Sequence, residues 1–164
     1  MELLTEILKR LIAEKVEFSL IGGQASRHYG VSLVTEDVDV CARFTPENLR
    51  RIESAFKDFH PRHRLTANKL PLELTDELCQ RLNNLYLTTD LGILDCLGAV
   101  AGIGDFDAVL RHSELKSFPF GDCFVLKIDA LIQAKKAIGR PHDLVAVVQL
   151  QAIKEKNDRQ KELF

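Results

Sequence analysis

The sequence predicts an α/β (α+β) fold in which helices flank a mixed β-sheet. Short apolar segments rich in β-branched residues alternate with amphipathic helical segments along the 164 residues. In two places, adjacent apolar segments are separated by turn sequences, at residues 90–92 and 121–122, and both predict β-hairpins. Because a hairpin pairs its strands antiparallel, we expect a mixed sheet rather than a fully parallel one.

The helices are predicted from apolar residues at three- and four-residue spacing and from their end signals. The clearest start is Thr45, an N-cap residue followed by Pro46 at the first helical position and Glu47 in the first turn. Gly30 and Gly139 each mark a helix end. In chain order, the predicted helices span residues 3–12, 24–29, 46–56, 76–82, 105–111, 128–138 and 142 to about 156.

The predicted strands are short apolar runs bounded by turn residues. The segment 60–68 is polar and basic, and we expect it to be a mobile loop. The predicted strands span residues 16–21, 38–44, 85–89 and 93–97, and two more flank Gly121-Asp122 at 118–120 and 123–126.

Composition and charge exclude several classes of protein. With 22 basic and 24 acidic residues, the formal net charge is −2, which disfavours a strongly basic nucleic-acid binder. No apolar run approaches the ~18 residues of a membrane-spanning helix. The four cysteines lack the paired spacing of a zinc site or a disulfide framework. We expect a cytoplasmic protein with no membrane contact, one domain over residues 1–156 and a frayed C-terminus over 157–164.

The segment with the clearest chemistry is a predicted strand that ends at Gly22-Gly23 and is followed, after thirteen intervening residues, by Asp37-Val38-Asp39-Val40. Residues two apart on a strand point to the same face, so Asp37 and Asp39 project together while the valines face the core. At ~5 Å in an effective dielectric of ~20, two carboxylates repel by roughly 3 kcal/mol. A divalent cation offsets that repulsion, and oxygen ligands suit Mg²⁺ or Mn²⁺.

The paired glycines supply a second element of a site. A strand that runs through Gly22-Gly23 into a helix leaves backbone N–H groups at a tight turn, where they can bind phosphate oxygens. Each feature also has a plainer interpretation, because Gly-Gly after a strand is often only a turn and an Asp-x-Asp strand is often only a solvated face. Their order and spacing together favour the functional interpretation.

This order, LIGG at 20–23 and DVDV at 37–40, resembles the signature of the DNA polymerase β-like nucleotidyltransferase superfamily. Thr35 extends the resemblance to small bacterial minimal nucleotidyltransferases of the toxin–antitoxin or abortive-infection-related type, which often contain Thr-x-Asp-x-Asp. The resemblance implies a nucleotidyltransferase fold with C-terminal helices and transfer of an NMP group from an NTP to an acceptor hydroxyl. Two positions depart from the pattern: Leu33 stands where many relatives have Arg, and Gln24 where Ser is common.

The resemblance also implies a third carboxylate on a later strand, and Asp95, within the apolar run 93–97, matches it. Asp37, Asp39 and Asp95 would then be the catalytic residues and the ligands of Mg²⁺ or Mn²⁺, with Asp95 as general base. An ionised carboxylate inside an apolar run is costly unless it is paired or metal-bound. The alternative for Asp95 is a strand-edge residue that meets solvent.

By the same resemblance, the nucleotide would be bound by Gly22, Gly23, Gln24, Lys135 and Arg140. Lys135 and Arg140 would steady the triphosphate. Alternatively, they are a helix C-terminal charge and a turn ion pair with Asp143.

The expected partners are an NTP and an acceptor that the sequence does not identify, which is RNA, a protein or a small molecule. A second hypothesis is a non-catalytic protein of the same fold that binds nucleotide or a protein partner, as in a toxin–antitoxin pair. The absence of an obvious additional acceptor-selecting domain favours that alternative or a site completed by a partner. A third is a structural module that responds to neither metal nor nucleotide.

Overall fold

The computed structural model describes residues 2–163 and contains a seven-stranded sheet with the order β3-β4-β5-β2-β1-β9-β8. A small second sheet pairs β6 with β7. The strands are β1 (Phe18–Ile21), β2 (Asp37–Ala42), β3 (Arg62–His63), β4 (Asn84–Thr89), β5 (Gly92–Leu97), β6 (Ala99–Val100), β7 (Gly104–Asp105), β8 (Ser113–Phe118) and β9 (Gly121–Leu126). The helices are α1 (Glu2–Ala13), α2 (Gly22–Tyr29), α3 (Pro46–Phe56), α4 (Asp76–Arg81), α5 (Phe106–Arg111), α6 (Ile128–Ile138) and α7 (Pro141–Leu163).

The large sheet is mixed, which confirms the predicted fold class. Strand β1 runs antiparallel to β2 and parallel to β9, while β2 runs parallel to β5. The pairs β4–β5 and β8–β9 are the two predicted antiparallel hairpins. Strand β2, which contains Asp37 and Asp39, is therefore the fourth of seven strands and has a hydrogen-bonded neighbour on each side.

Local signals placed several element ends correctly. The Thr45 side chain accepts a hydrogen bond from the backbone N–H of Asn48, and Pro46 is the first helical residue of α3. Gly30 and Gly139 both have positive φ angles, 115° and 72°, and end α2 and α6. Left-handed conformations of this kind favour glycine at helix ends.

Other element ends differ from the predictions. Helix α2 begins at Gly22 rather than at Gln24, so both glycines belong to its first turn. The second hairpin turns at Pro119-Phe120, and Gly121 already lies in β9. Within the expected loop 60–68, residues 62 and 63 form β3 because they pair with β4. Helix α7 continues to Leu163 through the segment expected to fray, with residues 155–163 exposed, and Phe164 lies outside the described residues.

Two groups of helices pack on the large sheet. Helix α1 packs against α3 and against strands β2, β5 and β9, while α2 packs against β1, β2, α6 and α7. The largest fully buried side chains include Phe56, Leu94 and Leu131. All four cysteines are buried and free. Across residues 2–163, no helix combines the length and apolarity that a membrane crossing requires.

Candidate active site

The two aspartates of β2 lie on one face of the strand, as the alternation predicts. Val38 and Val40 are fully buried, whereas Asp37 and Asp39 are only partly buried. The opposite directions of successive side chains on a strand produce this pattern. The apolar side of β2 therefore anchors the strand in the core and fixes the position of both carboxylates.

The third predicted carboxylate is adjacent to them in the sheet. Asp95 on β5 is in register with Asp39 on β2, and its exposure is 9%. Neighbours in register on paired strands project from the same face. The structure thus brings Asp37, Asp39 and Asp95 to one face of two central strands, although more than fifty residues of chain separate Asp39 from Asp95.

The Asp39 carboxyl is electrostatically unfavourable when it is ionised. Burial, followed by the nearby charges of Asp95 and Asp37, raises the pKa of Asp39 from its usual 3.8 to about 6. The positive charges of Lys135 and Arg140 act in the opposite direction. A site that concentrates carboxylates in this way favours the binding of a cation.

The glycines after β1 make room for the side chains of the site. Gly22 has φ +64°, and a Cβ at this position would lie 2.6 Å from Oδ2 of Asp39. A Cβ at Gly23 would lie 2.9 Å from both Cβ and Oγ1 of Thr35. Ile21, the N-cap residue of α2, supplies no side-chain hydrogen bond to the N–H groups of the first turn. The start of α2 thus combines close approach to Asp39 with backbone donors not capped by Ile21.

Gln24, the other residue predicted at this turn, is directed to the segment before β2. Its Nε2 donates to the backbone oxygen of Thr35 at 3.4 Å, and Thr35 Oγ1 donates to the backbone oxygen of Asp37 at 3.4 Å. Gln24 and Thr35 therefore connect the first turn of α2 to the start of β2.

Lys135 and Arg140 share one buried partner, Asp143, whose exposure is 1%. Arg140 donates from its backbone N at 3.2 Å and from Nε at 2.7 Å to Oδ2 of Asp143. Nζ of Lys135 lies 3.7 Å from Oδ1 of Asp143. Although burial alone would raise it, the pKa of Asp143 is lowered by the hydrogen bond and charge of Arg140 and by the charge of Lys135. The charges of both residues also lower the pKa of Asp39, so Lys135 and Arg140 act on the carboxylate face while they remain paired with Asp143.

The residue that sequence reasoning missed at the site is Arg64. Its Nη2 donates to Oδ1 and to Oδ2 of Asp95, each at 2.6 Å. Its backbone N–H donates to the carbonyl of Tyr86, which is itself in register with Asp95. The basic character of 60–68 was visible in the sequence, but the pairing of this segment with β4, which brings Arg64 next to Asp95, was not.

The oxygen donors fit a divalent cation in chemistry, because Mg²⁺ and Mn²⁺ prefer carboxylates. Asp37 and Asp39 are partly buried on the same face, and the electrostatic cost at Asp39 is the kind that a bound cation relieves. Within residues 2–163, however, no three His, Cys, Asp or Glu side chains are grouped closely enough to bind one metal ion. The Asp95 carboxylate is instead paired with Arg64.

No family model matches the sequence, and no curated protein matches it. Solved structures do match. The lincosamide antibiotic adenylyltransferase LnuA, bound to lincomycin, aligns with a TM-score of 0.63 at 14% identity, over 93% of this chain and 97% of that one. ANT(2'')-Ia in complex with adenylyl-2''-tobramycin aligns with a TM-score of 0.58 at 15% identity, over 99% and 92%. TM1012 from Thermotoga maritima, provisionally described as a nucleotidyltransferase, gives 0.50 at 16% identity, over 99% and 91%.

These likenesses define the class of fold. The chain has a nucleotidyltransferase fold, as the resemblance of LIGG and DVDV implied. At 14–16% identity the match concerns the fold, and what the site does is argued from its own residues.

Proposed function

We propose that this protein is a metal-dependent nucleotidyltransferase that moves an NMP group from an NTP to an acceptor hydroxyl. The observation that carries the proposal is the approach of Asp39 to the first turn of α2. Asp39 belongs to a face with three carboxylates, and Gly22 lets it come next to the N–H groups of that turn. A face with carboxylates thus adjoins the N-terminus of a helix, and nucleotidyl transfer requires metal ligands next to a phosphate-binding turn.

In this proposal, the triphosphate binds at Gly22, Gly23 and Gln24, where the N–H groups of the helix start donate to phosphate oxygens. Lys135 and Arg140, oriented by Asp143, neutralise the charge of the phosphate groups. These residues hold the α-phosphorus in line with the acceptor, and positioning of this kind supplies much of the catalysis in phosphoryl transfer.

Asp37 and Asp39 would hold Mg²⁺ or Mn²⁺, and Asp95 would join them once its carboxylate is released from Arg64. The ion, when bound, would neutralise charge on the phosphates and lower the pKa of the acceptor hydroxyl. Asp95 is the general base: it takes the hydroxyl proton while the acceptor oxygen forms a bond to the α-phosphorus. The bond between the α-phosphorus and the bridging oxygen breaks, and pyrophosphate leaves.

We propose a small molecule as the first acceptor class to test. Support comes from the two antibiotic-modifying neighbours, which this chain covers over 97% and 92% of their lengths. LnuA was solved with lincomycin and ANT(2'')-Ia with adenylyl-2''-tobramycin. RNA and protein acceptors belong in the same panel, because this chain is only 14–15% identical to the two neighbours.

A second candidate function is nucleotide binding without transfer, including a role in a toxin–antitoxin-like pair. The observation that favours it is the ion pair between Arg64 and Asp95, which occupies the proposed general base. A binding protein would respond to an NTP and form no product.

The first experiment is a thermal-shift panel of the four NTPs with and without Mg²⁺. A ligand at ~100 times its Kd adds ~2.7 kcal/mol, which is a shift of several degrees for a chain of this size. The shift should be absent from the Asp37→Asn/Asp39→Asn variant and present in Asp122→Asn, whose aspartate is exposed on β9. Labelled NTP is then incubated with the acceptor panel. Transfer retained by the double variant would contradict the assigned site, and binding without any product would favour the second candidate.

A further inference from the structure

Four residues form one row across the large sheet. Arg64 donates its backbone N–H to Tyr86, Tyr86 is in register with Asp95, and Asp95 is in register with Asp39. The Arg64 side chain extends along this row, with its guanidinium carbon 5.8 Å from the centroid of the Tyr86 ring. It ends on Asp95. The row joins a residue just beyond the edge strand β3 to the central strands that carry the carboxylates.

The contact at the end of the row uses both oxygens of Asp95. A single atom, Nη2 of Arg64, lies 2.6 Å from Oδ1 and 2.6 Å from Oδ2. The Arg64 and Asp95 side chains are only 25% and 12% exposed, so water weakens their attraction less than at an open surface. A divalent cation that bound either oxygen at ordinary coordination distance would lie close to the guanidinium. Two cations so close repel each other, and one would have to leave.

Arg64 is not fully satisfied in this position. Its Nε is buried and has no hydrogen-bond partner among residues 2–163. A buried donor without an acceptor costs free energy, which reduces the net gain of the ion pair. Release of Arg64 would let water or a phosphate oxygen bind this nitrogen. The guanidinium thus makes two short hydrogen bonds through Nη2, whereas its Nε makes none among the described residues.

The location of Arg64 permits its release without disturbance of the carboxylates. It follows the two-residue edge strand β3, and the residues after it, 65–70, are exposed. Asp39 and Asp95 are instead held by the β2–β5 pairing in the middle of the sheet. A rotation of the Arg64 side chain away from Asp95 requires no change in that pairing.

We propose that Arg64 is a resident counter-ion of Asp95 that a divalent cation must displace, so that this arginine sets how tightly the carboxylate face binds such ions. The inference rests on the proposed function in one respect, the use of Asp95 as a metal ligand. Arg64 is a positioning residue, because it acts through Asp95. It neutralises the charge of the Asp95 carboxylate until metal and nucleotide bind, and it weakens the binding of metal alone.

The test measures binding of Mn²⁺ alone to the full chain, from the loss of the electron paramagnetic resonance signal of the free ion. Arg64→Gln retains a hydrogen-bond donor and removes the charge, so we expect Mn²⁺ to bind about tenfold more tightly, within the usual range of coupling between two sites. The matched control is Arg62→Gln. Arg62 is exposed, its Nη1 donates to the Lys69 carbonyl, and its substitution should leave the Mn²⁺ affinity unchanged.

A double-mutant cycle shows whether the effect passes through Asp95. In an Asp95→Asn background, Arg64→Gln should no longer tighten Mn²⁺ binding. If Arg64→Gln does not fold, Arg64→Met keeps an unbranched side chain beside Tyr86 and removes the charge, and the same tightening is expected. Circular dichroism and thermal melts establish the fold of each variant. A structural role of Arg64 would lower the melting temperature without a gain in Mn²⁺ affinity.

The outcomes separate this inference from the proposed function. If folded Arg64→Gln or Arg64→Met binds Mn²⁺ no more tightly than wild type, the inference is wrong, and a magnesium-dependent NTP shift in wild type would still support the proposed function. If Mn²⁺ and NTP bind neither wild type nor Arg64→Gln, both are wrong. Tighter binding in Arg64→Gln that disappears with Asp95→Asn supports the counter-ion role.

Discussion

Gly22 leaves open the space that the carboxylate of Asp39 occupies. A Cβ on Gly22 would lie 2.6 Å from Oδ2 and 2.9 Å from Cβ of Asp39, closer than real Cβ contacts. The two residues are neighbours because Gly22 directly follows Ile21, which pairs with Asp39 across β1 and β2. The glycine therefore has two functions here: it adopts φ +64° and it lets the helix start approach a carboxylate.

Gly22→Ala should impair both stability and nucleotide binding. An alanine at φ +64° costs about 1–2 kcal/mol, and its methyl group would also displace Asp39. The matched control is Gly139→Ala, which has φ +72° but whose Cβ would meet only the Lys136 carbonyl at an ordinary 3.5 Å. We expect Gly139→Ala to lose the backbone contribution alone in denaturant titrations, Gly22→Ala to lose more because of the contact with Asp39, and only Gly22→Ala to lose the NTP-induced thermal shift. Equal loss of that shift in both would contradict a special role for Gly22.

Asp39→Asn should stabilise the ligand-free protein at neutral and alkaline pH. The pKa of Asp39 is about 6 in the fold and 3.8 ordinarily, so ionised Asp39 disfavours the folded state. Protonated Asp39 lacks this penalty, so the corresponding stability of the fold is fully present below about pH 4 and is lost as the pH rises through about 6. A shift of this size corresponds to about 2–3 kcal/mol. Urea titrations of wild type and variant at pH 4 and pH 8 measure the difference.

At pH 8 the variant should be more stable, and at pH 4 the two proteins should be nearly equal. Asp122→Asn, on the exposed side of β9, should shift stability by less than about 0.5 kcal/mol at either pH. A stabilisation by Asp39→Asn that is the same at both pH values would show that charge repulsion is not its cause.

Asp143→Asn should weaken nucleotide binding through Lys135 and Arg140, whose charges it orients. Loss of a buried, charge-paired hydrogen-bond acceptor costs about 1–3 kcal/mol. Isothermal titration with ATP and Mg²⁺ should show weaker binding, by several-fold or more. The comparison is Asp129→Asn. Asp129 pairs with Lys154 at the surface, and loss of this ion pair should cost under about 1 kcal/mol of stability. Unchanged ATP affinity in a folded Asp143→Asn variant would remove the two cations from the nucleotide site.

Asp95→Asn should separate binding from chemistry. As the proposed general base, Asp95 contributes about 10²–10⁴-fold to transfer, whereas the NTP contacts assigned to α2, Lys135 and Arg140 remain. We expect the NTP-induced thermal shift to persist and transfer of labelled nucleotide to fall by at least about 10²-fold. Transfer at the wild-type rate would refute the role of Asp95.

The parts of the site that lie within one element could be predicted from the sequence. The same-face arrangement of Asp37 and Asp39 follows from strand alternation, and the partly buried aspartates between fully buried valines confirm it. Thr45 and Gly139 show the same for helix ends. In these cases the geometry depends on a few consecutive residues, so a short pattern contains the information.

The Arg64–Asp95 contact could not be predicted in the same way. It joins residues 31 positions apart and depends on the pairing of β3 with β4. Strand β3 has only two residues, both polar, so it has no periodicity to detect. The ion pair of Arg140 with Asp143, three residues away, is one that the sequence predicts as an alternative, but the second contact of Asp143, with Lys135, depends on the packing of α6 against α7. Contacts of this kind arise when elements meet, and single-sequence patterns do not contain them.

The strand order places the proposed ligands and their counter-ion at opposite extremes of local stability. Strand β2 is flanked by β1 and β5, so its backbone amides should exchange with deuterium only on global opening. Strand β3 contributes two residues at the margin, and its amides should exchange through small local fluctuations. In the proposed counter-ion role, the residue that must move before an ion binds therefore follows the least stable strand of the sheet, whereas the carboxylates lie on its most stable strands.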